Sequence, residues 1–219
     1  MKKTLLVHSV FLIAATMAQG AFAQTVEGNV ANGEQKVVQC IGCHGLEGYQ
    51  ASFPEVYKVP KIAGQGAKYI AASLIAYKKG ERRHPTMRGV AGNMSDQDIA
   101  DVSAYYEAVG AQYKPSNSPA PTDAKALALI EKGGCKGCHG ENLSKPIDPA
   151  YPKLAGQYAD YLFVSLKAYK AESNGVSGRS NAIMGGIAKQ FSNSELKTIS
   201  NYMGAMSGDL SVVQQKKFR

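Results

Sequence analysis

The residues that could do chemistry form one five-residue pattern that occurs twice, at residues 40–44 and 135–139. The pattern, C-x-x-C-H, is the attachment signature of c-type haem. Its two thiols add across the vinyl groups of the porphyrin, so they must lie about one helical turn apart on one side. The histidine that follows lies under the iron and supplies an axial nitrogen. The predicted anchors are Cys40, Cys43, Cys135 and Cys138, and the predicted iron ligands are His44 and His139.

Other kinds of site also use cysteines at this spacing. Four cysteines in an exported protein would ordinarily form two disulfides, and C-x-x-C alone occurs in thioredoxin-like proteins and zinc ribbons. A thioredoxin motif needs no following histidine and expects strands nearby. A zinc site would need the two pairs to converge, yet each pair belongs to its own half of the chain. Two C-x-x-C-H motifs therefore predict two covalently bound haem c groups.

The chain repeats itself around these motifs. The segment P-K-[IL]-A-G-Q occurs at residues 60–65 and again 92 residues later, and the cysteine motifs are 95 residues apart. Offsets that drift by a few residues are what loop insertions between fixed landmarks produce. The sequence thus predicts two homologous units in tandem, residues 24–114 and 123–206, joined by a proline-rich, uncharged linker at residues 115–122.

Each iron needs a second axial ligand from elsewhere in its unit. His84 is the one spare histidine outside the N-terminal leader, so methionine thioethers are the better candidates. Met87 and Met184 match each other, each in a Gly-, Arg- or Ser-containing loop eight residues before a helix-capping serine. The remaining methionines of the two units fall where any apolar residue suffices: Met94, Met203 and Met206. We predict the axial pairs His44–Met87 and His139–Met184, in which the soft thioether raises the reduction potential.

Several residues near these ligands have two interpretations each. The carbonyls of Pro60 and Pro152 could accept a hydrogen bond from the axial histidines, or the prolines could simply mark turns. Arg82 and Arg179, five residues before the matched methionines, could pair with haem propionates or be solvated loop arginines. His84 is interpreted as a surface loop residue. Tyrosines of the second helix of each unit are expected to pack against porphyrin: Tyr69, Tyr77, Tyr161 and Tyr169.

The elements that must position these residues are predicted to be helices, which makes the fold class all-α. Helical patterns cover four segments: 32–39, 65–79, 123–132 and 157–172. The closing helix of each unit begins with a capping box, Ser95 with Asp98 and Ser192 with Glu195. The residue before each serine is apolar and can contact the fourth helical residue, which gives the pairs Met94–Ile99 and Phe191–Leu196.

The N-terminus has the composition of a signal peptide. A basic start at Lys2 and Lys3 precedes a mostly apolar stretch at residues 5–18, and Ala21 and Ala23 are the small residues that a signal peptidase reads. We predict cleavage after Ala23 and export to the periplasm. The apolar stretch is shorter than the roughly 20 residues that a membrane span needs, although an uncleaved anchor is the alternative.

The charge of the chain excludes one class of partner. Of the 25 basic residues two leave with the signal peptide, so 23 basic residues face 17 acidic ones in the mature chain, a net charge of +6. The charges are scattered, and no Lys/Arg cluster alternates with aromatic residues, so nucleic acid is not an expected partner. Residues 207–219 form a basic tail that contains Lys216, Lys217 and Arg219 and could dock a protein partner.

In combination these features resemble the dihaem cytochrome c4 family. The resemblance covers residues 24 to about 206 and rests on the tandem C-x-x-C-H units, the P-K-[IL]-A-G-Q segments, the methionine eight residues before the closing helix, and the short linker. It implies two class I cytochrome c domains related by a pseudo-twofold, with the propionate edges of the haems meeting at their interface. It also implies a periplasmic electron carrier that serves a haem–copper terminal oxidase.

The expected function is therefore electron transfer between proteins. We expect a monomer that takes electrons from a cytochrome c reductase or another donor and delivers them to a terminal oxidase; peripheral association with a membrane is left open. One alternative is the cytochrome subunit of a larger oxidoreductase, such as a flavocytochrome sulfide dehydrogenase. The other is a dihaem peroxidase, which needs a haem with an open coordination site. The paired methionines argue against a peroxidase, so no catalytic residue and no small-molecule substrate are expected.

Overall fold

The computed structural model describes residues 26–113, 120–171 and 176–213. The predicted signal peptide, residues 115–119 of the predicted linker and the three basic residues of the tail lie outside these ranges. Within them, no helix combines the length and the apolar character that crossing a bilayer requires. The described residues are mostly helical, with four two-residue strands, so the prediction of an all-α fold is confirmed.

The N-terminal unit contains five helices and three short strands in its described residues. In chain order they are α1 Val30–Lys36, α2 Val38–His44, β1 Gln50–Ala51, β2 Tyr57–Lys58, α3 Ala67–Lys79, β3 Arg82–Arg83, α4 Pro85–Gly92 and α5 Asp96–Gly110. The helix predicted at residues 32–39 is two helices, since α1 ends at Lys36 and α2 begins two residues later. Strands β1 and β2 pair in antiparallel fashion.

The C-terminal unit repeats most of this order. Its described elements are α6 Ala124–Lys132, α7 Cys135–His139, α8 Ala159–Lys170, β4 Gly178–Arg179, α9 Ala182–Ala188 and α10 Asn193–Ala205. Each unit has its own apolar core, and the pairs predicted to staple the closing helices are buried in them: Met94 with Ile99, and Phe191 with Leu196.

Both closing helices begin with the predicted capping boxes. The hydroxyl of Ser95 accepts a hydrogen bond from the Asp98 amide at 3.1 Å, while the Asp98 carboxylate accepts one from the Ser95 amide at 3.0 Å. Ser192 and Glu195 make the same pair of bonds, at 3.2 and 2.7 Å. These bonds satisfy amide groups that a helix start would otherwise leave without partners, so both helix starts are fixed locally.

The triplet A-Y-K, which occurs at residues 76–78 and again at residues 168–170, reinforces the same junctions. The ammonium group of Lys78 donates to the carbonyl oxygen of Met94 at 2.7 Å, and that of Lys170 donates to the carbonyl oxygen of Phe191 at 2.5 Å. In each unit the lysine, on α3 or α8, thus links its helix to the residue just before the capping serine of the closing helix. A charged donor makes such a bond stronger than a neutral one.

The first helix packs closely against α5. A Cβ atom at Gly33 would lie 2.2 Å from the carbonyl oxygen of Asp101, so only glycine permits this approach. The Asp101 side chain is fully buried and accepts hydrogen bonds from the Asn29 amide at 2.8 Å, the Gln97 side chain at 2.8 Å and the Lys36 ammonium at 2.7 Å. Three donors compensate the burial of this carboxylate and fix α1 on α5.

The two units contact each other through strands and through the chain beyond α10. Strand β3 of the N-terminal unit pairs with β4 of the C-terminal unit, in antiparallel fashion. Residues 207–213, predicted as the start of the tail, pack against the N-terminal unit. There the amide of Ser211 donates to the carbonyl of Ala63 at 3.0 Å, Leu210 is buried, and Val213 packs against the N-terminal core.

Candidate haem sites and the contact between the two units

The C-x-x-C-H residues lie on two short helices, α2 and α7. Helix α7 begins after Gly134, whose left-handed conformation (φ 60°) turns the chain sharply out of α6. None of the four cysteines is in a disulfide, so the disulfide alternative is wrong. In the described parts of the chain no group of three or more metal-binding side chains comes together, which argues equally against a zinc site built from the two pairs.

A proline carbonyl orients each motif histidine. Nδ1 of His44 lies 2.9 Å from the carbonyl oxygen of Pro60, and Nδ1 of His139 lies 2.9 Å from that of Pro152. The proline prediction is thus confirmed in both units. Burial lowers the pKa of both rings, although the proline carbonyls partly oppose this, so the neutral imidazole is favoured. A ring that donates through Nδ1 leaves Nε2 as the free nitrogen that can bind iron.

The two matched methionines lie in the first turn of short helices, which corrects the expectation that they lie in loops. Met87 is on α4 and Met184 is on α9. The amide of Met87 donates to Nδ1 of His84 at 3.4 Å, and the amide of Met184 donates to Oδ1 of Asn181 at 2.9 Å. His84 is therefore a half-buried helix cap and not a surface loop residue. The sequence held a signal for this, because His84 and Asn181 share the 97-residue offset of the two methionines.

One cavity of about 770 Å³ reaches all eight predicted site residues. They are Cys40, Cys43, His44, Met87, Cys135, Cys138, His139 and Met184. Other parts of the wall come from apolar core residues of both units, among them Leu74, Val102, Leu162 and Ile199. The structure therefore places the two sets of candidate ligands in a single continuous space that crosses the contact between the units.

Two arginines meet at this contact, and each is stacked on two tyrosines of its own unit. The Arg82 guanidinium lies 5.7 Å from the ring centre of Tyr69 and 5.0 Å from that of Tyr77. The equivalent rings for Arg179, 5.5 and 5.2 Å away, belong to Tyr161 and Tyr169. Arg82 is 7% exposed, so the solvated-loop interpretation is wrong for this residue. The four tyrosines line the cavity and also support the arginines, and their packing on porphyrin stays a prediction.

The hydroxyl of Tyr161 joins the two arginines. It accepts hydrogen bonds from Arg179 at 3.1 Å and from Arg82 at 3.4 Å. Burial opposes ionisation of Tyr161, but the positive charges of Arg179 and Arg82 outweigh that effect and lower its pKa to about 7. The contact between the units is therefore a strongly positive, largely enclosed environment.

Two glutamines, whose role the sequence analysis missed, bind the units to each other reciprocally. Gln157 accepts from the amide of Lys61 at 3.0 Å and donates to the carbonyl of Lys61 at 2.9 Å. Gln65 makes the same two bonds to Lys153, at 2.8 and 3.0 Å. Both glutamines end the repeated P-K-[IL]-A-G-Q segment, so the repeat was the signal, but the crossing of the bonds between units has no signature in the sequence.

Comparisons with known proteins agree with the organisation of the chain into two similar units. The family model of cytochrome c matches residues 30–109 and again residues 124–207. Cytochrome c4 of Azotobacter vinelandii is 32% identical over 194 residues, which cover 80% of this chain and 88% of the relative. The chain belongs to the dihaem cytochrome c4 family. The solved structure of reduced recombinant cytochrome c4 from Pseudomonas stutzeri is similar, with a TM-score of 0.59 and 27% identity, and the match covers 82% of this chain and 99% of that one.

A relative with another name is also similar. The thiosulfate dehydrogenase electron acceptor of Thiomonas intermedia is 27% identical over 205 residues, which cover 88% of this chain and 90% of that protein. Membership of the cytochrome c4 family makes the chain an electron carrier rather than an enzyme, with two covalently bound haem c groups. The predictions of the family, the cofactor and electron transfer between redox partners are thereby confirmed.

The described residues suit two haem groups. Nε of the buried Arg82 has no hydrogen-bond partner among them, and no carboxylate of that part of the chain forms an ion pair with Arg82 or Arg179. Buried cations need anions nearby, and each haem brings two propionate carboxylates. The apolar parts of the cavity wall suit the porphyrin itself.

Proposed function

We propose that this cytochrome c4 acts in the periplasm as a monomer that passes electrons between its two haems on the way from a donor to a terminal oxidase. The observation that supports this is the single cavity reached by both sets of candidate ligands. Two redox groups in one continuous space exchange electrons without any large movement of the protein. Residues 24–114 and 123–206 are the proposed haem domains.

Each set of residues has a distinct role in this proposal. Thioether bonds from four cysteines would hold the porphyrins: Cys40, Cys43, Cys135 and Cys138. His44 with Met87, and His139 with Met184, would bind the two irons, and the proline carbonyls fix the histidine rings. When bound, each haem supplies a one-electron Fe(III)/Fe(II) couple. With both axial positions filled by the protein, small oxidants have no open site.

Arg82 and Arg179 hold the propionates in this proposal. Their fork-shaped guanidinium groups can donate two parallel hydrogen bonds to a carboxylate. Because the arginines already stack on tyrosines, their orientation is fixed before the carboxylates bind. Pairing there would replace two uncompensated positive charges by neutral pairs at the contact between the units.

A second candidate function follows from the similarity to the thiosulfate dehydrogenase electron acceptor. In that case the donor is a thiosulfate dehydrogenase, and the chain accepts electrons directly from it. The two proposals differ in the donor and agree on the haem sites. A permanent subunit of a larger oxidoreductase, such as a flavocytochrome sulfide dehydrogenase, would instead purify as part of a complex.

A reconstitution with purified proteins tests these alternatives. The fully reduced chain is mixed with membranes that contain a haem–copper oxidase, and its oxidation by oxygen is followed in the visible spectrum. In parallel the oxidised chain is mixed with thiosulfate dehydrogenase and thiosulfate. We expect rapid oxidation in the first assay; reduction in the second without oxidation in the first would replace the oxidase proposal by the thiosulfate one. Light scattering should give the mass of one chain.

A further inference from the structure

Two peptide groups, Pro60–Lys61 and Pro152–Lys153, each connect a candidate haem ligand to the opposite unit. In the first, the carbonyl oxygen of Pro60 lies 2.9 Å from Nδ1 of His44, and the amide of Lys61 donates to Oε1 of Gln157 at 3.0 Å. These carbonyl and amide groups belong to the same peptide bond. A residue of the C-terminal unit is therefore one planar amide away from the ring of the N-terminal histidine.

The second peptide group repeats this geometry in the opposite direction. The carbonyl oxygen of Pro152 lies 2.9 Å from Nδ1 of His139, and the amide of Lys153 donates to Oε1 of Gln65 at 2.8 Å. The two connections cross, so the glutamine of each unit reaches the histidine of the other. Both glutamine side chains are buried, with 3–4% of their surface exposed, so bulk water does not compete for these bonds.

Such an arrangement changes how strongly the peptide carbonyl accepts a hydrogen bond. An amide whose N–H is engaged is polarised, and chains of hydrogen bonds strengthen one another, by about 10–30% per bond. A stronger bond to the Nδ1 proton makes the imidazole a more basic ligand. A more basic ligand favours Fe(III) over Fe(II) and lowers the reduction potential of that haem.

We propose that Gln157 sets the reduction potential of the N-terminal haem and that Gln65 sets that of the C-terminal haem. Both are positioning residues, which act through the peptide group and the axial histidine and touch neither haem ligand directly. The inference deepens the proposed function and rests on the assignment of His44 and His139 as axial ligands.

The test is a redox titration of the intact dihaem protein with Gln157→Leu and, separately, Gln65→Leu. Haem methyl signals in proton NMR assign each potential to its unit. Gln157→Leu should make reduction of the N-terminal haem about threefold more favourable, a rise of roughly 30 mV at 59 mV per tenfold for one electron. The potential of the C-terminal haem should stay within error. Gln65→Leu should give the mirror image.

Two further variants keep the experiment decisive. Tyr158→Phe removes another uncharged bond between the units, from the Gly48 amide to the Tyr158 hydroxyl at 3.3 Å, and should leave both potentials unchanged. If a leucine variant fails to fold, Gln157→Asn keeps an amide that is one methylene too short and should raise the same potential by less. In the reduced protein the Nδ1 proton of His44 should move upfield in Gln157→Leu.

Each alternative outcome overturns a different statement. Any of four outcomes would overturn the crossed control by glutamine. The potential could change mainly in the mutated unit, change equally in both units, fall, or not change at all. Equal shifts in Tyr158→Phe would show that any loosening of the contact has the same effect. If the far-red Met–Fe(III) band is absent from the wild-type spectrum, the proposed ligation is refuted, whatever the glutamine variants show.

Discussion

Arg82 and Arg179 lie opposite each other in the antiparallel strand pair that joins the two units. Two like charges placed together repel each other, and burial of Arg82 adds a desolvation cost. The arrangement is reasonable only if anions complete it, which the propionates of two haems would do.

Removal of either positive charge should lower the potentials of the haems. A unit charge at roughly 15 Å with an effective dielectric constant near 20 is worth about 1 kcal/mol, or roughly 50 mV for one electron. Arg179→Gln should therefore lower the potentials by tens of millivolts, measured by redox titration. Arg179→Lys keeps the charge and should lower them less. Equal effects of both substitutions would show that hydrogen-bond geometry, and not charge, governs the potentials.

The ligand assignment predicts a clear division among the methionines. Met87→Ala and Met184→Ala should each abolish the far-red Met–Fe(III) band of one haem and lower its potential, because the soft thioether is lost. Met94→Leu and Met203→Leu are the controls. Both side chains are buried in the cores, at 4% exposure, and a swap of similar volume usually costs less than about 1.5 kcal/mol. A band lost in Met94→Leu would refute the assignment of Met87.

Asp101 should make the N-terminal unit sensitive to acid. Burial opposes its ionisation, but the bonds from Lys36, Asn29 and Gln97 prevail and lower its pKa. A carboxyl whose folded pKa is depressed stabilises the fold above its unfolded pKa of about 3.9, and this contribution is lost as pH falls through the folded value. Thermal unfolding monitored by circular dichroism should therefore show a stability that declines below about pH 4.

Asp101→Asn tests the same point directly. It should reduce the free energy of unfolding at neutral pH by roughly 1–3 kcal/mol, because charge-assisted bonds to a buried group are lost, and it should flatten the acid dependence. Glu34→Gln is the matched control on α1, where the exposed side chain predicts a change within about 0.5 kcal/mol. An unchanged acid profile in Asp101→Asn would place the acid-sensitive group elsewhere.

The tail should separate into a packed part and a docking part. Truncation after Val213 removes Lys216, Lys217 and Arg219 but keeps the contacts of Leu210, Ser211 and Val213. It should weaken the salt dependence of electron delivery to the oxidase and reduce the low-salt rate by up to roughly tenfold, with no change in melting temperature. Truncation after Ser207 should in addition lower the melting temperature. A steep salt dependence that survives the first truncation would place the docking charges elsewhere.

Much of the haem chemistry was predictable from residues that are neighbours in the sequence. Two features depend only on local geometry: the thiol spacing within C-x-x-C-H and the capping box of Ser95 with Asp98. The 92-residue repeat is found by comparing one half of the sequence with the other. Local hydrogen bonds and covalent spacing do not depend on how distant segments meet. For that reason the sequence alone determined the cofactor, the helical fold class and the two-unit organisation.

The relationships between the units needed the tertiary structure. Gln157 contacts Lys61 across 96 residues, and Arg82 lies opposite Arg179 in the strand pair across a similar separation in the sequence. Each of these residues has an identical counterpart in the other unit, so the repeat alone is compatible with bonds within a unit or between units. The packing of the two units against each other, with residues 207–213 folded back on the first unit, decides that the bonds cross. Only this packing fixes which buried donor meets which acceptor.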